Sequence, residues 1–418
     1  MNVSIVNYSD IAGGAARAAY RIHQALRHDG IESRMLVHDK SSDDWTVEGP
    51  SGNVAKLAAR SRSAIASRLG AWAKPGQSAG AALACLPSRW ARRLNSSLAD
   101  VVHLHWVNAE MMSIADIGRI RKPLVWTLHD MWAFCGAEHY SDDGGWSNGY
   151  AAATPRRAPG LVVDRWTWRR KKRHWRTPFQ IVTPSRWLAE CARASDLMSG
   201  WPVTVIPNPL DTDMWRPIEP RIARDILRLP QDSKLLLFGA VGGSRDPRKG
   251  FDLLVAALHQ LRRKRTDVEL VVFGQSAPRV ALNLPYPIHY AGRVHDDAAL
   301  QLLYSAADAV LVPSRLEAFG QTASEAHACG TPVVAFDIGG LPDIVEHGRT
   351  GYLAKPYDTG ELADGIERVL NASSQDSAMR RAARNRAETL WTAPVVARQY
   401  LAVYKTAMES VSGPCSPP

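Results

Sequence analysis

Short apolar runs alternate with amphipathic stretches along almost the whole chain. Runs such as VSIVN, DVVHLHW and PLVWTL are rich in branched and aromatic residues, and AARAAYRIHQAL has helical periodicity. A second series begins with KLLLFGA, FDLLVAALHQLRRK and VELVVFG. Buried strands that alternate with helices are typical of parallel α/β sheets. The pattern therefore predicts two Rossmann-like, doubly wound parallel-sheet domains.

The predicted boundary between these domains lies in IPNPLDTDMWRP, residues 206–217, because three prolines there interrupt any regular element. We predict an N-terminal domain over residues 1–206 and a C-terminal domain over residues 207–389. A helix at about 390–412 is expected to pack back on the first domain. The Pro-rich end, residues 413–418, is expected to be disordered.

Composition places the chain among globular proteins. Of its 418 residues 45% are apolar and 22% charged, and no apolar run reaches the roughly 18 residues that span a bilayer. The start, MNVSIVNYSD, lacks the basic region of a signal peptide and is interpreted as a first strand. Five cysteines without a C-x-x-C pair indicate neither a disulfide framework nor a zinc site. A cytoplasmic protein is expected.

The net charge of +10 is concentrated in two blocks. Residues 49–99 contain eight Lys or Arg residues and no acidic one, and WTWRRKKRHWR, residues 166–176, mixes basic residues with tryptophan. Three interpretations stay open: solvated helix faces, an anionic membrane surface or phosphate-bearing acceptor, and nucleic acid as the least favoured partner. The second would place the protein at the inner face of a membrane.

Two carboxylates, Glu317 and Glu325, bracket a predicted turn from strand to helix. The run AVLV at 309–312 predicts a buried strand, and residues 321–328 have helical composition. Ligands in parallel sheets collect beyond the carboxyl ends of strands, where a helix N-terminus favours phosphate. Both carboxylates are therefore candidates for contact with a bound molecule.

A second candidate turn, Gly13-Gly14, follows the first predicted strand and starts a helix. Glycines there allow a ligand or an acceptor to approach the backbone, although a tight turn alone is the other reading. The chain lacks the G-x-G-x-x-G pattern expected of a dinucleotide-binding dehydrogenase. A dehydrogenase is therefore disfavoured.

Seven segments, in this order along the chain, together resemble the retaining glycosyltransferases of family 4, which have the GT-B fold. They are GGAARAAY, TLHD (127–130), VTPSRWLAE (182–190), IPNPLDTDMWRP, RKGFDLL (248–254), EAFGQTASEAHACGTPVV (317–334) and GGLPDIVEHGRTGYL (339–353). TLHDMWAF looks most like the colanic-acid and exopolysaccharide branch of that family.

The resemblance implies a donor-binding site in the second domain. Lys249 is similar to the family's phosphate-binding lysine, and Arg245 or Arg248 is its candidate partner. Glu325 is expected to accept hydrogen bonds from the ribose, and Glu317 to face the donor sugar. Backbone groups complete this set at Ala318, Phe319, Gly320 and Gln321.

In the first domain the resemblance implies that His129 is a catalytic residue, together with Lys249 and Glu317. His129 follows the apolar strand PLVWTL, at the end where ligands collect. Asp130 is expected to orient His129 or to bind the acceptor. Gly13, Gly14 and His105 are assigned to the acceptor or phosphate side, and for His105 a structural role is equally open.

The implied reaction moves a hexose from a nucleotide-diphospho-sugar to a hydroxyl of a glycan or lipid-linked oligosaccharide, with retention by front-face substitution, in bacterial-type polysaccharide assembly. No cofactor and no metal are expected, and the D-x-D letters at 211–213 are interpreted as a helix cap. The alternatives are a GT-B sugar-nucleotide epimerase and a non-catalytic protein that binds sugar nucleotides or nucleic acid. A two-carboxylate hydrolase is disfavoured by the phosphate-binding features.

Overall fold

The computed structural model describes residues 1–73, 81–141, 144–151, 159–239, 246–278, 284–294, 296–375 and 378–412. Contacts divide the chain into two units. The first unit comprises Met1–Pro209 together with the segment that begins at Ala393, and the second comprises Leu210–Thr392. Each unit is an α/β structure with a parallel sheet, as the sequence pattern predicts.

The described part of the first unit contains seven parallel strands: β1 Asn2–Ser9, β2 Glu32–Asp39, β3 Val47–Glu48, β4 Val101–Leu104, β5 Leu124–Thr127, β6 Gln180–Thr183 and β7 Val203–Val205. Their order is β3-β2-β1-β4-β5-β6-β7. The helices before the second unit are α1 Gly14–His28, α2 Asn53–Ala73, α3 Trp90–Asn95, α4 Ile114–Ile117, α5 Pro159–His174 and α6 Arg186–Ala194. The central strands β4 and β5 are buried at every position, as expected for a parallel sheet covered on both faces.

The described part of the second unit contains six parallel strands: β8 Lys234–Gly239, β9 Val268–Phe273, β10 Ile288–Gly292, β11 Ala309–Val312, β12 Val333–Phe336 and β13 Gly351–Ala354. Their order is β10-β9-β8-β11-β12-β13. Its helices are α7 Pro220–Leu227, α8 Phe251–Leu261, α9 Asp297–Ala306, α10 Gln321–Ala328, α11 Leu341–Ile344, α12 Thr359–Gln375 and α13 Ala378–Leu390.

The last helix, α14 Ala393–Ser412, completes the first unit. It packs against α1, and its Tyr400 and Tyr404 are fully buried in a cluster with β1 and β5. The Tyr404 hydroxyl lies 2.8 Å from Nδ1 of His103 on β4. The first unit is therefore built from both ends of the described chain.

The second basic block is partly buried. Most of it lies on α5, where Trp168 and Lys171 are buried; Trp175, directly after the helix, is buried as well. Arg170 donates hydrogen bonds to the main-chain carbonyls of Leu83 and Ala84. These side chains pack within the first unit, whereas others of the block, such as Trp166 and Arg173, are exposed. In the described ranges, no helix has the length and apolar character needed to cross a bilayer.

Candidate active site

The predicted donor side forms around the carboxyl end of β11. A short 3-10 helix, Pro247–Lys249, places the Lys249 ammonium against the Glu317 carboxylate, and the two side chains form an ion pair. The Ser314 hydroxyl donates to the same Glu317 oxygen at 2.9 Å. Lys249 remains about one-quarter exposed. A cation and a carboxylate predicted to act together are thus in direct contact.

Two glycines make room for the segment that carries Glu317. A Cβ at Gly339, where φ is +58°, would lie 2.3 Å from the Glu317 carbonyl oxygen. One at Gly340 would lie 2.7 Å from the Ala318 carbonyl oxygen. The Gly340 amide donates to the Glu317 carbonyl at 2.8 Å. The GGLPDI motif therefore supports the candidate site through its backbone.

The N-terminus of α10 follows directly. Ala318 and Phe319 are buried, and Gly320, with φ +105°, is the cap residue before Gln321 begins the helix. The turn between strand and helix therefore lies where the sequence predicts it. A helix start at the carboxyl end of a parallel strand is a favourable place for an anion.

The segment that carries Lys249 is fixed by an arginine absent from the predicted set. Arg315 donates to the Pro247 carbonyl at 2.8 Å and forms an ion pair with Asp252. Its amide also donates to the Arg248 carbonyl. The Arg248 guanidinium pairs with Asp246 at 2.7 Å. Arg245, the other predicted phosphate arginine, lies outside the described residues.

Glu325 lies deeper than its neighbour in the motif. It projects from α10, is 4% exposed, and accepts a hydrogen bond of 2.8 Å from the Tyr304 hydroxyl. Glu317 and Glu325 therefore have different surroundings, one beside a cation and the other beside a hydroxyl.

In the first unit, three histidines form a row at the carboxyl ends of β4 and β5. His103 is fully buried, and its two nitrogens bond to Tyr404 and to Thr127. The ring centroids of His103 and His105 lie 4.1 Å apart, because residues two apart in an extended segment point to the same side. Nδ1 of His105 lies 2.9 Å from Nε2 of His129. Burial lowers the pKa of His103 to about 3 and that of His129 to about 4.

The row bears on the two alternatives left open for His105. His105 is 2% exposed and contacts His129, so it does not reach a ligand from where it lies. His129 is partly exposed and stays a candidate for ligand contact. Burial and this contact favour the structural role for His105.

Asp130 orients a different histidine from the one expected. Its carboxylate accepts hydrogen bonds from Nδ1 of His139 at 2.6 Å, the Trp106 indole at 3.0 Å and the Trp132 amide at 2.9 Å. Burial favours the neutral acid, but His139 and the other donors outweigh it and lower the pKa of Asp130. The reason is positional, since Nε2 of His129 faces His105. His139 joins the candidate site as a residue that the motif pattern did not assign.

The loop that follows Asp130 is held by Lys171, whose role the sequence pattern also missed. The ammonium donates to the carbonyls of Trp132, Cys135 and Gly136 and lies 3.8 Å from the centre of the Trp132 ring. Burial lowers the pKa of Lys171 to about 7. The three acceptors match the three N–H groups of an ammonium and favour the charged form.

Gly13 and Gly14 lie at the start of α1, with Gly13 at φ +95°. A Cβ at either position would meet no other atom within 4 Å, so the space beside them is open. Asp211 accepts hydrogen bonds from the amides of Asp213 and Met214, where the chain forms a turn and not the helix that the cap interpretation expects. Among the described residues, no group of three His, Cys, Asp or Glu side chains is arranged to hold a metal ion.

Two parallel α/β units with a lysine-carboxylate pair at a strand end define the GT-B class, and solved structures confirm the fold. Sucrose-phosphate synthase from Thermosynechococcus elongatus superposes with a TM-score of 0.68 at 20% identity, over 98% of this chain and 99% of that one. HepE of Anabaena, in complex with UDP-glucose, gives 0.62 at 17% identity, over 99% and 100%.

Two family models then support the assignment of this chain to the family 4 glycosyltransferases. The model described as "Glycosyltransferase Family 4" matches residues 12–214, and "Glycosyl transferases group 1" matches residues 221–386. D-inositol 3-phosphate glycosyltransferase of Mycobacterium tuberculosis (strain ATCC 25618 / H37Rv) is 36% identical over 202 residues, 45% of this chain. The chain spans only 40% of the length of that relative. The exopolysaccharide branch stays a prediction.

Proposed function

We propose that the protein transfers a hexose from a nucleotide-diphospho-sugar to a hydroxyl of a glycan or lipid-linked acceptor, with retention of configuration. The observation that carries this proposal is the Lys249–Glu317 pair beside the N-terminus of α10. The family models add support. HepE was solved with UDP-glucose, and this makes UDP-sugars the first donors to test.

The roles divide between the two units. In the second unit Lys249 and the α10 N-terminus neutralise the departing β-phosphate, where most negative charge develops. Glu317 holds the donor sugar, and Glu325 holds the ribose. In the first unit His129 contacts the reacting groups, while the open turn at Gly13 and Gly14 admits the acceptor or a phosphate oxygen. The acceptor proton leaves with the departing phosphate, so no covalent protein nucleophile and no metal ion are required.

A panel of UDP-, GDP- and dTDP-sugars tests the donor part by thermal shift. A ligand that binds only the folded protein at 100 times its Kd adds about 2.7 kcal/mol of stability. We expect one nucleotide class to raise the unfolding temperature, and Lys249→Met to remove that shift. Lys264→Met is the matched control, because Lys264 lies in the same unit but pairs with exposed Asp364 and Glu367. If no nucleotide stabilises the wild type, the proposal is wrong.

Product analysis tests the chemistry. With the stabilising donor, we expect a glycoside of an added acceptor, with D-inositol 3-phosphate as one probe because a relative is named for it. The anomeric configuration of the product, read by NMR, should match that of the donor. Epimerised sugar nucleotide formed without acceptor would favour an epimerase instead. Binding without turnover would favour a non-catalytic sugar-nucleotide protein.

We further propose that α2 contacts the anionic surface of the membrane that carries a lipid-linked acceptor. Val54, Leu57, Ile65 and Trp72 lie on one face of this helix and are exposed, Val54 by 84% and Trp72 by 77%. Lys56, Arg60 and Arg68 supply positive charge, and α2 contains no acidic residue. Flotation with anionic and with neutral vesicles at physiological salt tests this part. Equal binding to both would remove the membrane from the proposal and leave the transferase.

A further inference from the structure

The two histidines that follow β4 and β5 form one hydrogen bond between their rings. Nδ1 of His105 and Nε2 of His129 are 2.9 Å apart, and their rings stack with centroids 5.2 Å apart at 20°. A hydrogen bond between two ring nitrogens needs one donor and one acceptor. One ring therefore carries its proton at the contact, and the other presents a lone pair. The geometry of the contact alone leaves both assignments open.

The second nitrogen of His105 decides between them. Its Nε2 is buried and has no hydrogen-bond partner among the residues that the structure describes. A proton there would be a buried donor without an acceptor, and buried N–H groups without a partner are rare in folded proteins. A lone pair in the same place is the lesser loss. His105 therefore carries its proton on Nδ1 and donates to His129.

The surroundings keep both rings neutral. His103, the nearest ring to His105, already uses both nitrogens, one with Tyr404 and one with Thr127, so it offers His105 no acceptor. Burial is the main cause that lowers the pKa of His105 and of His129, and the neighbouring histidines lower that of His105 further. A neutral His129 with a lone pair at Nε2 has its proton on Nδ1.

We infer that His105 is a positioning residue that holds His129 as the tautomer protonated on Nδ1. His129 then offers an N–H group on its partly exposed side, where no described residue hydrogen-bonds Nδ1. It can donate to a phosphate or hydroxyl oxygen, but a neutral ring fixed in this way has no free lone pair with which to take a proton. That the acceptor is an oxygen of a ligand depends on the proposed function, whereas the assignment of the tautomer does not. His129 thus binds an oxygen and does not act as a general base.

Nitrogen-15 NMR of the histidine-labelled full chain tests the tautomer directly. Signals are assigned by their loss in His105→Gln and His129→Gln, and long-range proton correlations distinguish the two neutral forms. We expect both rings to show the form protonated on Nδ1 at neutral pH. A His129 ring protonated on Nε2, or a His105 ring protonated on Nε2, would overturn the inference. This result requires neither a donor nor an acceptor.

The variant His105→Phe tests the consequence for turnover, because phenylalanine keeps a ring but offers no N–H. Without the His105 donor, the hydrogen bond that fixes the tautomer and orientation of His129 is lost, so we expect the Nδ1-protonated form to lose its dominance and kcat for release of the nucleoside diphosphate to fall by about tenfold or more. The KM for the donor, whose site lies in the second unit, should stay within about twofold. Unchanged kcat despite a changed tautomer would refute the positioning role.

The two failures can be told apart. A wild-type protein that shows the expected tautomer but transfers no sugar would contradict the proposed function alone. If His105→Phe does not fold, the wild-type spectrum still decides the tautomer. His105→Gln then replaces His105→Phe in the turnover test. Its side chain retains an amide donor, so kcat should fall less than in His105→Phe.

Discussion

Replacing Lys171 by methionine tests whether one buried cation holds the loop that follows Asp130. Methionine keeps most of the side-chain volume but removes the ammonium that donates to the carbonyls of Trp132, Cys135 and Gly136. These carbonyls belong to a loop that the surrounding protein buries. The variant leaves them without this donor.

The expected cost follows from the number of acceptors. A buried carbonyl that loses its partner costs about 1–3 kcal/mol. The acceptors are neutral, so Lys171→Met leaves no unpaired charge, and relief from burying the ammonium offsets part of the loss. The contact with the Trp132 ring, at 3.8 Å, adds about 1 kcal/mol. We expect Lys171→Met to lower the free energy of unfolding of the first unit by about 3 kcal/mol or more.

Urea unfolding followed by tryptophan fluorescence measures this change, because most of the 14 tryptophans lie in the first unit. The measurement is made at pH 6, below the pKa of about 7 of Lys171, where the ammonium prevails. Lys172→Met is the matched control, because Lys172 pairs with Asp196 at the surface and such pairs contribute about 0–1 kcal/mol. Equal unfolding midpoints for the two variants would refute the structural role assigned to Lys171.

Two further predictions follow. Gly250→Ala should destabilise the second unit by about 2 kcal/mol or more and weaken donor binding, because a Cβ at this position, where φ is +64°, lies 1.9 Å from the Pro313 carbonyl oxygen. Thermal unfolding measures the change. Gly348→Ala is the control, because its φ of +76° is similar but a Cβ there meets open space. Burial lowers the pKa of His23 from 6.5 to about 4. As the pH falls from 6.5 to 4, the unfolded chain therefore takes up a proton at this residue before the folded protein does, and up to about 3 kcal/mol of stability is lost. His23→Gln should flatten this acid limb in unfolding measurements between pH 7 and 4; an unchanged slope would contradict it.

The fold could be predicted because its determinants are local. Buried parallel strands are continuous apolar runs, so β4 and β5 can be predicted from their own residues without knowing which strands lie beside them. The turn at Phe319-Gly320 was predictable for the same reason, since the strand before it and the helix after it are contiguous. The solved structures then confirm the GT-B fold.

The supporting contacts of the candidate site could not be predicted, because they join positions on different elements. The bond between Asp130 and His139 depends on how a loop folds back, and the contact between His105 and His129 depends on the register of β4 against β5. Charge composition likewise cannot tell an inward lysine from an outward one. One signal was available at the end of α5: Trp168, Lys171 and Trp175, the residue after the helix, recur at helical spacing and so share a face.

The closing helix α14 has a consequence for the order in which the protein is made. Its tyrosines complete the core of the first unit, and Tyr404 satisfies His103 there. During synthesis the second unit therefore emerges in full before the first unit can finish its own core. The earlier part of the chain must wait, with α1 and the sheet incompletely covered, until residues 393–412 leave the ribosome. Residues 1–209 expressed alone should expose this apolar surface and aggregate, whereas adding the helix as a separate peptide should rescue their solubility.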